Sequence, residues 1–352
     1  MNVLVAMSGG VDSSVAAARL VEQGHAVTGV TMRLWGGASD RGCCSVSDVD
    51  DARRVAQQLD IDHLVFNFGD DFTAHVVDPY VEAYASGRTP NPCVECNRHL
   101  KFDRLVRRAE ALGFDAVATG HHARVVRGGD GRPRLSRGAD RAKDQSYVLY
   151  VVPPPVLERV RFPVGDLTKV EVREQARRLG LRTAAKPDSQ DVCFITAEGG
   201  RRAFLGDRIG LHPGRVVDLD GREVGRLDAV ELVTVGQRRG LGAAGGRAPR
   251  YAVDVDVANA TVTVGGRADL ESDSVVLHEL VWAGDPGSSP RSDSWSAQCS
   301  AHGEARAVTV SDGPRRDTVM VRWTDGPRVR VAPGQSVVLY DGDEVVGGGL
   351  AG

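Results

Sequence analysis

The chain has 352 residues, 41% of them hydrophobic and 26% charged, and a formal net charge of −3. That length exceeds one ordinary hydrophobic core and predicts two or three domains. The charge balance excludes a global basic field for nucleic acid, leaving only local basic faces screened beyond roughly 10 Å, and no stretch approaches the ~20 apolar residues of a membrane span.

In chain order, Asn2–Met7 reads as a buried strand. It has no basic head and runs straight into glycines, so it is not a signal peptide, and a cytoplasmic location is expected. Asp12–Gln23 reads as a helix, with Val11, Val15 and Ala18 on one face and Gly24 at its end. His25–Met32 and His63–Phe68 read as strands, Asn97–Leu112 as a helix and Asp115–Thr119 as a strand. Thr168 to Leu179 is a helix opened by a capping box of Thr168 and Glu171. Alternating strands and helices predict an α/β parallel sheet covered on both faces, with ligands at the carboxyl ends of its strands. The second half reads as β-structure, with hairpin turns at Asp220-Gly221 and Asp341-Gly342 and a polar loop over Ala283–Ser296. The expected division is a catalytic domain over 1–200, a small β-rich domain over 204–270 and a β-barrel over 271–352.

The stretch Ala6-Met7-Ser8-Gly9-Gly10-Val11-Asp12-Ser13 joins the first strand to the first helix. Glycines let backbone N–H groups crowd an anion, and a helix start adds unpaired donors and the positive end of a dipole. The hydroxyls of Ser8, Ser13 and Ser14 are expected to add donors. Asp12 beside a phosphate calls for Mg²⁺ or a capping duty. The bland alternative is a tight strand–helix turn. The pattern is neither G-x-x-x-x-G-K-[ST] nor G-x-G-x-x-G. Met32, at the end of the second strand, is a place for an adenine, and Gly120 permits close approach of a ligand. His121 and His122 lack the spacing of a helical zinc pair.

Six cysteines in a chain this long are inert, metal-binding or catalytic rather than a disulfide scaffold. Cys93 and Cys96 form a C-x-x-C. It reads as half a zinc site without its partner half, as a redox pair, or as a nucleophilic Cys96 activated at a helix N-terminus near Arg98, Lys101 and Arg104. Cys193, alone, reads as a core cysteine.

The S-G-G-V-D-S loop resembles that of the ATP pyrophosphatases, which cleave ATP between its α and β phosphates. Together with "NPCVECNRHLKF", "ATGHHAR", "KDQSYVLY", "KPDSQDVCFI", "TVGQRRGLG" and "GQSVVLY", it resembles the bacterial tRNA-specific 2-thiouridylases along almost the whole chain. The resemblance implies a Rossmann-like N-terminal sheet of the adenine nucleotide α-hydrolase kind. It implies ATP and Mg²⁺ as co-reactants and tRNA as substrate, with Lys, Glu and Gln isoacceptors. A cysteine desulfurase or sulfur-relay protein is implied as sulfur donor. In it Cys96 is the nucleophile, Cys193 carries the persulfide, and the two form a transient disulfide. His121, Lys143, Asp144, Gln145 and Gln335 are implied to contact tRNA. Many relatives have Asp where this chain has Cys93, so either another group takes the role of that carboxylate here or the role is not essential. Basic runs over Asn97–Arg108 and Gln237–Arg250 are candidate phosphate-holding faces. Two alternatives remain: an amide-forming ATP pyrophosphatase acting on a small molecule, and a nucleotide- or zinc-dependent RNA-binding module without catalysis.

Overall fold

The computed structural model describes residues 1–34, 46–188, 192–195, 199–242, 249–284 and 292–352. Cys43, Cys44 and part of the Gln237–Arg250 run lie outside the described residues. The chain divides into two compact units. The first comprises Met1–Val77, Pro92–Thr196 and Asp343–Val346, and the second Asp78–Asn91, Ala197–Gly342 and Gly347–Gly352. Among the described residues no helix is long and apolar enough to cross a membrane.

The first unit is built on five parallel strands: β1 (Asn2–Ala6), β2 (Ala26–Arg33), β3 (Asp62–Asn67), β4 (Ala116–Thr119) and β7 (Val160–Arg161), in the order β3-β2-β1-β4-β7. Val3, Val5 and Met7 face a core shared with α1 (Val11–Glu22), α2 (Val46–Gln58) and α3 (Lys169–Arg178). Leu4, between them, is equally buried, as a sheet covered on both faces requires. A hairpin of β5 (Ala123–Arg127) and β6 (Pro133–Arg137) interrupts the alternation, and Glu344 pairs with Ser136 of β6. The expected helices α1 and α3 lie where the periodicity put them. Gly24, at φ +79°, follows α1, and the Thr168–Glu171 capping box opens α3.

The expected helix Asn97–Leu112 is longer. Helical winding runs from Pro92 through Ala111, and its middle, Cys96–Arg104, is wound as a π-helix. Proline suits the first helical position because its missing N–H would have no partner there. A second π-wound stretch, Thr73–Val77, follows the short helix Gly69–Phe72 and packs on the first.

In the second unit, β8 (Gly214–Val217), β9 (Glu223–Leu227), β10 (Tyr251–Asp256) and β11 (Thr261–Gly265) form a sheet ordered β10-β11-β8-β9. A two-stranded pair, β12 (Glu271–Ser272) with β17 (Arg328–Val329), stands apart. Six antiparallel strands close into a barrel: β13 (Ser274–Trp282), β14 (Ser292–Gln298), β15 (Arg306–Asp312), β16 (Val319–Trp323), β18 (Ser336–Asp341) and β19 (Glu344–Ala351). Closure comes from β13 pairing with β19, which removes both sheet edges. The loop expected over Ala283–Ser296 ends earlier, because β14 starts at Ser292.

Candidate active site

The strand order reverses direction between β1 and β4, and in such sheets the crevice beyond those strand ends binds ligands. The glycine loop leaves β1 there. Ala6 ends the strand, Met7 is buried and donates its N–H to Val30 O at 2.8 Å, and Val11 opens α1 in the core. Gly9 is left-handed at φ +71°, and a Cβ on it would lie 2.4 Å from the Asp48 carbonyl. Gly120, after β4, is also required by the chain itself. A Cβ there would lie 2.5 Å from Ser13 N. Its openness thus serves close packing of β4's end on the first turn of α1.

Two of the three serines are engaged within the loop, while Ser8 is exposed. Ser13 Oγ accepts from Ser8 N at 3.2 Å and donates to Gly10 O at 3.2 Å, while Ser14 Oγ donates to Gly10 O at 2.8 Å. These hydroxyls brace the turn, which leaves anion donation to the backbone N–H groups of the helix start. Met32 is buried at the end of β2, beside Thr31, whose hydroxyl donates to Met7 O at 2.8 Å.

Asp12 has a partner that sequence reasoning missed. Lys169, the first residue of α3, donates to both Asp12 oxygens at 2.8 and 2.7 Å, and His122 Nε2 lies 3.1 Å away. Burial pushes the Asp12 pKa up, but the bonds and charge from His122 and Lys169 outweigh it and hold it below 3.8. Asp12 thus does not cap α1, and its carboxylate is held by Lys169 and His122. Lys169 also reaches Asp188 at 2.9 Å, which further pairs with Lys143 and Arg173 at 2.8 Å each. Burial opposes ionisation of Asp188, yet Lys143 and Lys169 hold it well below the usual carboxylate range. Its bond in turn raises Lys143 above 10.5. The signal for Lys169 was legible: the capping box fixes it at the positive end of a helix dipole, where a lysine is unfavourable without an anion.

His121 is a core residue. Its ring packs edge-on against Phe162, with centroids 6.0 Å apart, and near Phe102. Lys101 Nζ, which can only donate, lies 3.3 Å from Nε2, so the ring's proton sits on Nδ1 and is donated to Thr119 Oγ1 at 2.7 Å. Burial first, then the charges of Lys101 and His122, depress its pKa well below 6.5. His121 is 8% exposed, which leaves little surface for a tRNA contact from this side chain. In the unfolded chain the ring takes a proton below its ordinary 6.5, whereas in the fold it stays neutral, so stability is full above that value and falls as pH drops. His121→Gln is therefore expected to flatten the loss of thermal stability between pH 7 and pH 5, read by melting temperature across that range.

The loop carrying Lys143 is similarly braced. Asp144 is nearly fully buried, pairs with Arg137 at 2.8 Å and accepts from Gly138 N and Ser146 N at 3.0 and 3.1 Å. Gln145 accepts from His122 N at 3.0 Å and its own N–H donates to His122 O. Of the three, Lys143 is the exposed one and Gln145 is half-buried. Gln335 lies in the second unit, where its amide donates to Thr89 O at 2.8 Å.

Cys96 is buried and Cys193 half-buried. Because helical winding begins at Pro92, Cys93 rather than Cys96 occupies the first turn, and a helix dipole acts only there. The cations expected to activate Cys96 are engaged: Arg98 with Glu95 at 3.5 Å, Arg104 with Asp71 at 2.7 Å, and Lys101 with His121. With Arg107 on Asp103 and Arg108 over the Phe66 ring, the basic run Asn97–Arg108 is largely spoken for. The two cysteine segments meet a common element. Phe194 packs edge-on against Phe72, with centroids 5.7 Å apart, and the helical stretch Gly69–Val77 holding Phe72 packs on the winding that carries Cys96.

Residues 1–197 match the family model described as the tRNA methyl transferase HUP domain. Residues 202–266 match the tRNA methyl transferase PRC-barrel domain, and 272–351 the aminomethyltransferase beta-barrel domain. The chain is 47% identical over 361 residues to the tRNA-specific 2-thiouridylase MnmA of Chloroflexus aurantiacus, covering 99% of this chain and 97% of that one. It is 49% identical over 362 residues to the tRNA-specific 2-thiouridylase MnmA of Mycobacterium avium, covering 99% and 98%. On a match along nearly its whole length, the chain belongs to the tRNA-specific 2-thiouridylase family.

Proposed function

We propose that this protein is an ATP-dependent tRNA uridine 2-sulfurtransferase. The observation that carries the reading is identity near one half, along the full length, with enzymes bearing that name. The site supports it chemically. A uridine C2 carbonyl is a poor electrophile with a poor leaving group. Attack of its O2 on the α-phosphorus of ATP expels pyrophosphate and leaves an adenylated base. The terminal sulfur of a Cys193 persulfide then replaces AMP at C2, either by direct attack or as hydrosulfide released by Cys96. After direct attack the C2-bound sulfur is still joined to Cys193, and the Cys96 thiolate attacks Cys193 Sγ to free the thiouridine; both routes therefore leave a Cys96–Cys193 disulfide, which a thiol reductant must open.

In this reading the backbone around Ala6–Ser13, with Met32 and Gly120, receives the nucleotide, and Lys169 joins Lys143 as a phosphate partner. Mg²⁺ fits as a phosphate-bound ion, since Asp12 and Asp188 are both held by cations and Mg²⁺ keeps few protein ligands beside phosphates. The tRNA is a Lys, Glu or Gln isoacceptor met through Lys143 and, on the second unit, Gln335. A cysteine desulfurase or relay protein loads Cys193, and the reaction is cytoplasmic. The catalytic, β-rich and barrel parts are assigned to 1–200, 204–270 and 271–352.

The test mixes purified protein, ATP, Mg²⁺, a persulfide source and unmodified tRNA, and reads digested nucleosides by mass. Thiouridine that depends on ATP is the expected product. A methyl-sized increment, or AMP release that needs no tRNA, would overturn the assignment.

A further inference from the structure

The segment leading into Cys193 is held by two ionic clamps of opposite polarity. In the first, the segment supplies the cation: Lys186 reaches Asp48 and Asp51 of α2 at 2.7 Å each. In the second, it supplies the anion: Asp188 is gripped by Lys143, Lys169 and Arg173. The difference matters for an incoming phosphate, which competes with a carboxylate for lysines and has no quarrel with an ammonium.

Lys169 joins the two halves of the device. It holds Asp12, in the first turn of α1, and Asp188, upstream of Cys193, at the same time. Its side chain is only 12% exposed, so water competes little for its ammonium. A triphosphate on the glycine loop would add several negative charges beside two carboxylates already sharing that ammonium. Like charges at partly buried positions repel far more strongly than in water. Asp12 is fixed by the helix it sits on. Asp188 is on a connecting segment and is the anion that can leave.

Resting on the nucleotide site proposed above, we infer that Asp188 is a positioning residue that latches the Cys193 segment to Lys169 and Lys143, and that nucleotide phosphates take those lysines and release it. The sulfur-carrying residue is thereby held until the reactant that activates the base has arrived. Coupling of this kind is reciprocal: the factor by which nucleotide loosens the latch is the factor by which the latch weakens nucleotide binding.

The experiment follows iodoacetamide alkylation of Cys193 by peptide mass spectrometry, with and without ATP and Mg²⁺, while equilibrium dialysis measures ATP binding on the same samples. In the unaltered protein, saturating ATP should raise the Cys193 rate at least about 5-fold. Asp188→Asn should alkylate at the high rate without ATP, show no further rise, and bind ATP more tightly by the same factor. Lys143→Gln removes an arm of the latch and a phosphate partner together, so it should raise the starting Cys193 rate by less while weakening ATP binding. Asp51→Asn loosens the other clamp and should raise the starting rate yet keep the ATP-dependent rise. An Asp188→Asn protein that retains the wild-type ATP response overturns the latch, as does ATP binding without any change at Cys193. Absence of ATP binding by the unaltered protein would instead overturn the nucleotide site itself.

Discussion

Cys193→Ser is expected to lower thiouridine formation by at least about 10³-fold while leaving ATP affinity unchanged. Serine fills nearly the same volume at this half-buried position, so the fold is preserved, but an alcohol cannot carry a sulfane sulfur. Cys96→Ser should fail as completely and at a different point: Cys193 still loads, and what accumulates is an unresolved persulfide on the hydrosulfide route or a base joined to Cys193 through its disulfide on the direct route. Trapping the sulfane sulfur on each variant and weighing the protein separates the two failures. Cys93→Ser is the discriminating partner. Cys93 has the better helix-terminal position, yet Cys96 is the buried thiol on the winding that packs against the Phe72 stretch. Continued thiolation by Cys93→Ser, with none by Cys96→Ser, is the expected result. Thiouridine made by Cys96→Ser would sink the assignment of the nucleophile.

Why Cys96 was misplaced on its helix is instructive. Periodicity read the helix from Asn97 because Phe102, Val106 and Ala109 line one face, whereas Pro92 and Cys93 leave no periodic trace. The π-winding of Cys96–Arg104 widens the turn and shifts every later side chain, which a 3.6-residue template does not anticipate. The parallel sheet was legible for the opposite reason: buried strands such as Val3–Val5 and capped helices such as that opened by Thr168 carry their own local signals. The glycine loop was legible as a tight strand–helix turn at the end of β1, but the bracing by Ser13 and Ser14 was not, since a hydroxyl's partner depends on a turn geometry that only the fold fixes. The capping box shows locally that Lys169 needs an anion, but a pairing such as Asp12 with Lys169, separated by most of the first unit, is named by neither local sequence. Asp144 and His121 show the same limit: motif position predicted exposure, and the fold buries both.

Lys169→Met is expected to weaken ATP binding by about 10- to 100-fold, the usual worth of one charged hydrogen bond to an anion. Its effect on stability is separable from that loss. Removing one partner of a fully buried pair costs about 3–5 kcal/mol. Here the Asp12 side chain is 29% exposed and keeps His122, so a loss of about 1–2 kcal/mol is the expected size. The double variant Lys169→Met, Asp12→Asn removes the stranded carboxylate and should recover most of that stability, read as melting temperature. It should not recover ATP binding, because the asparagine restores no cation. If Lys169 served only to neutralise Asp12, the double variant would regain both. Recovery of nucleotide affinity together with stability would therefore reduce Lys169 to a structural counter-ion and take with it the competition between phosphate and Asp188.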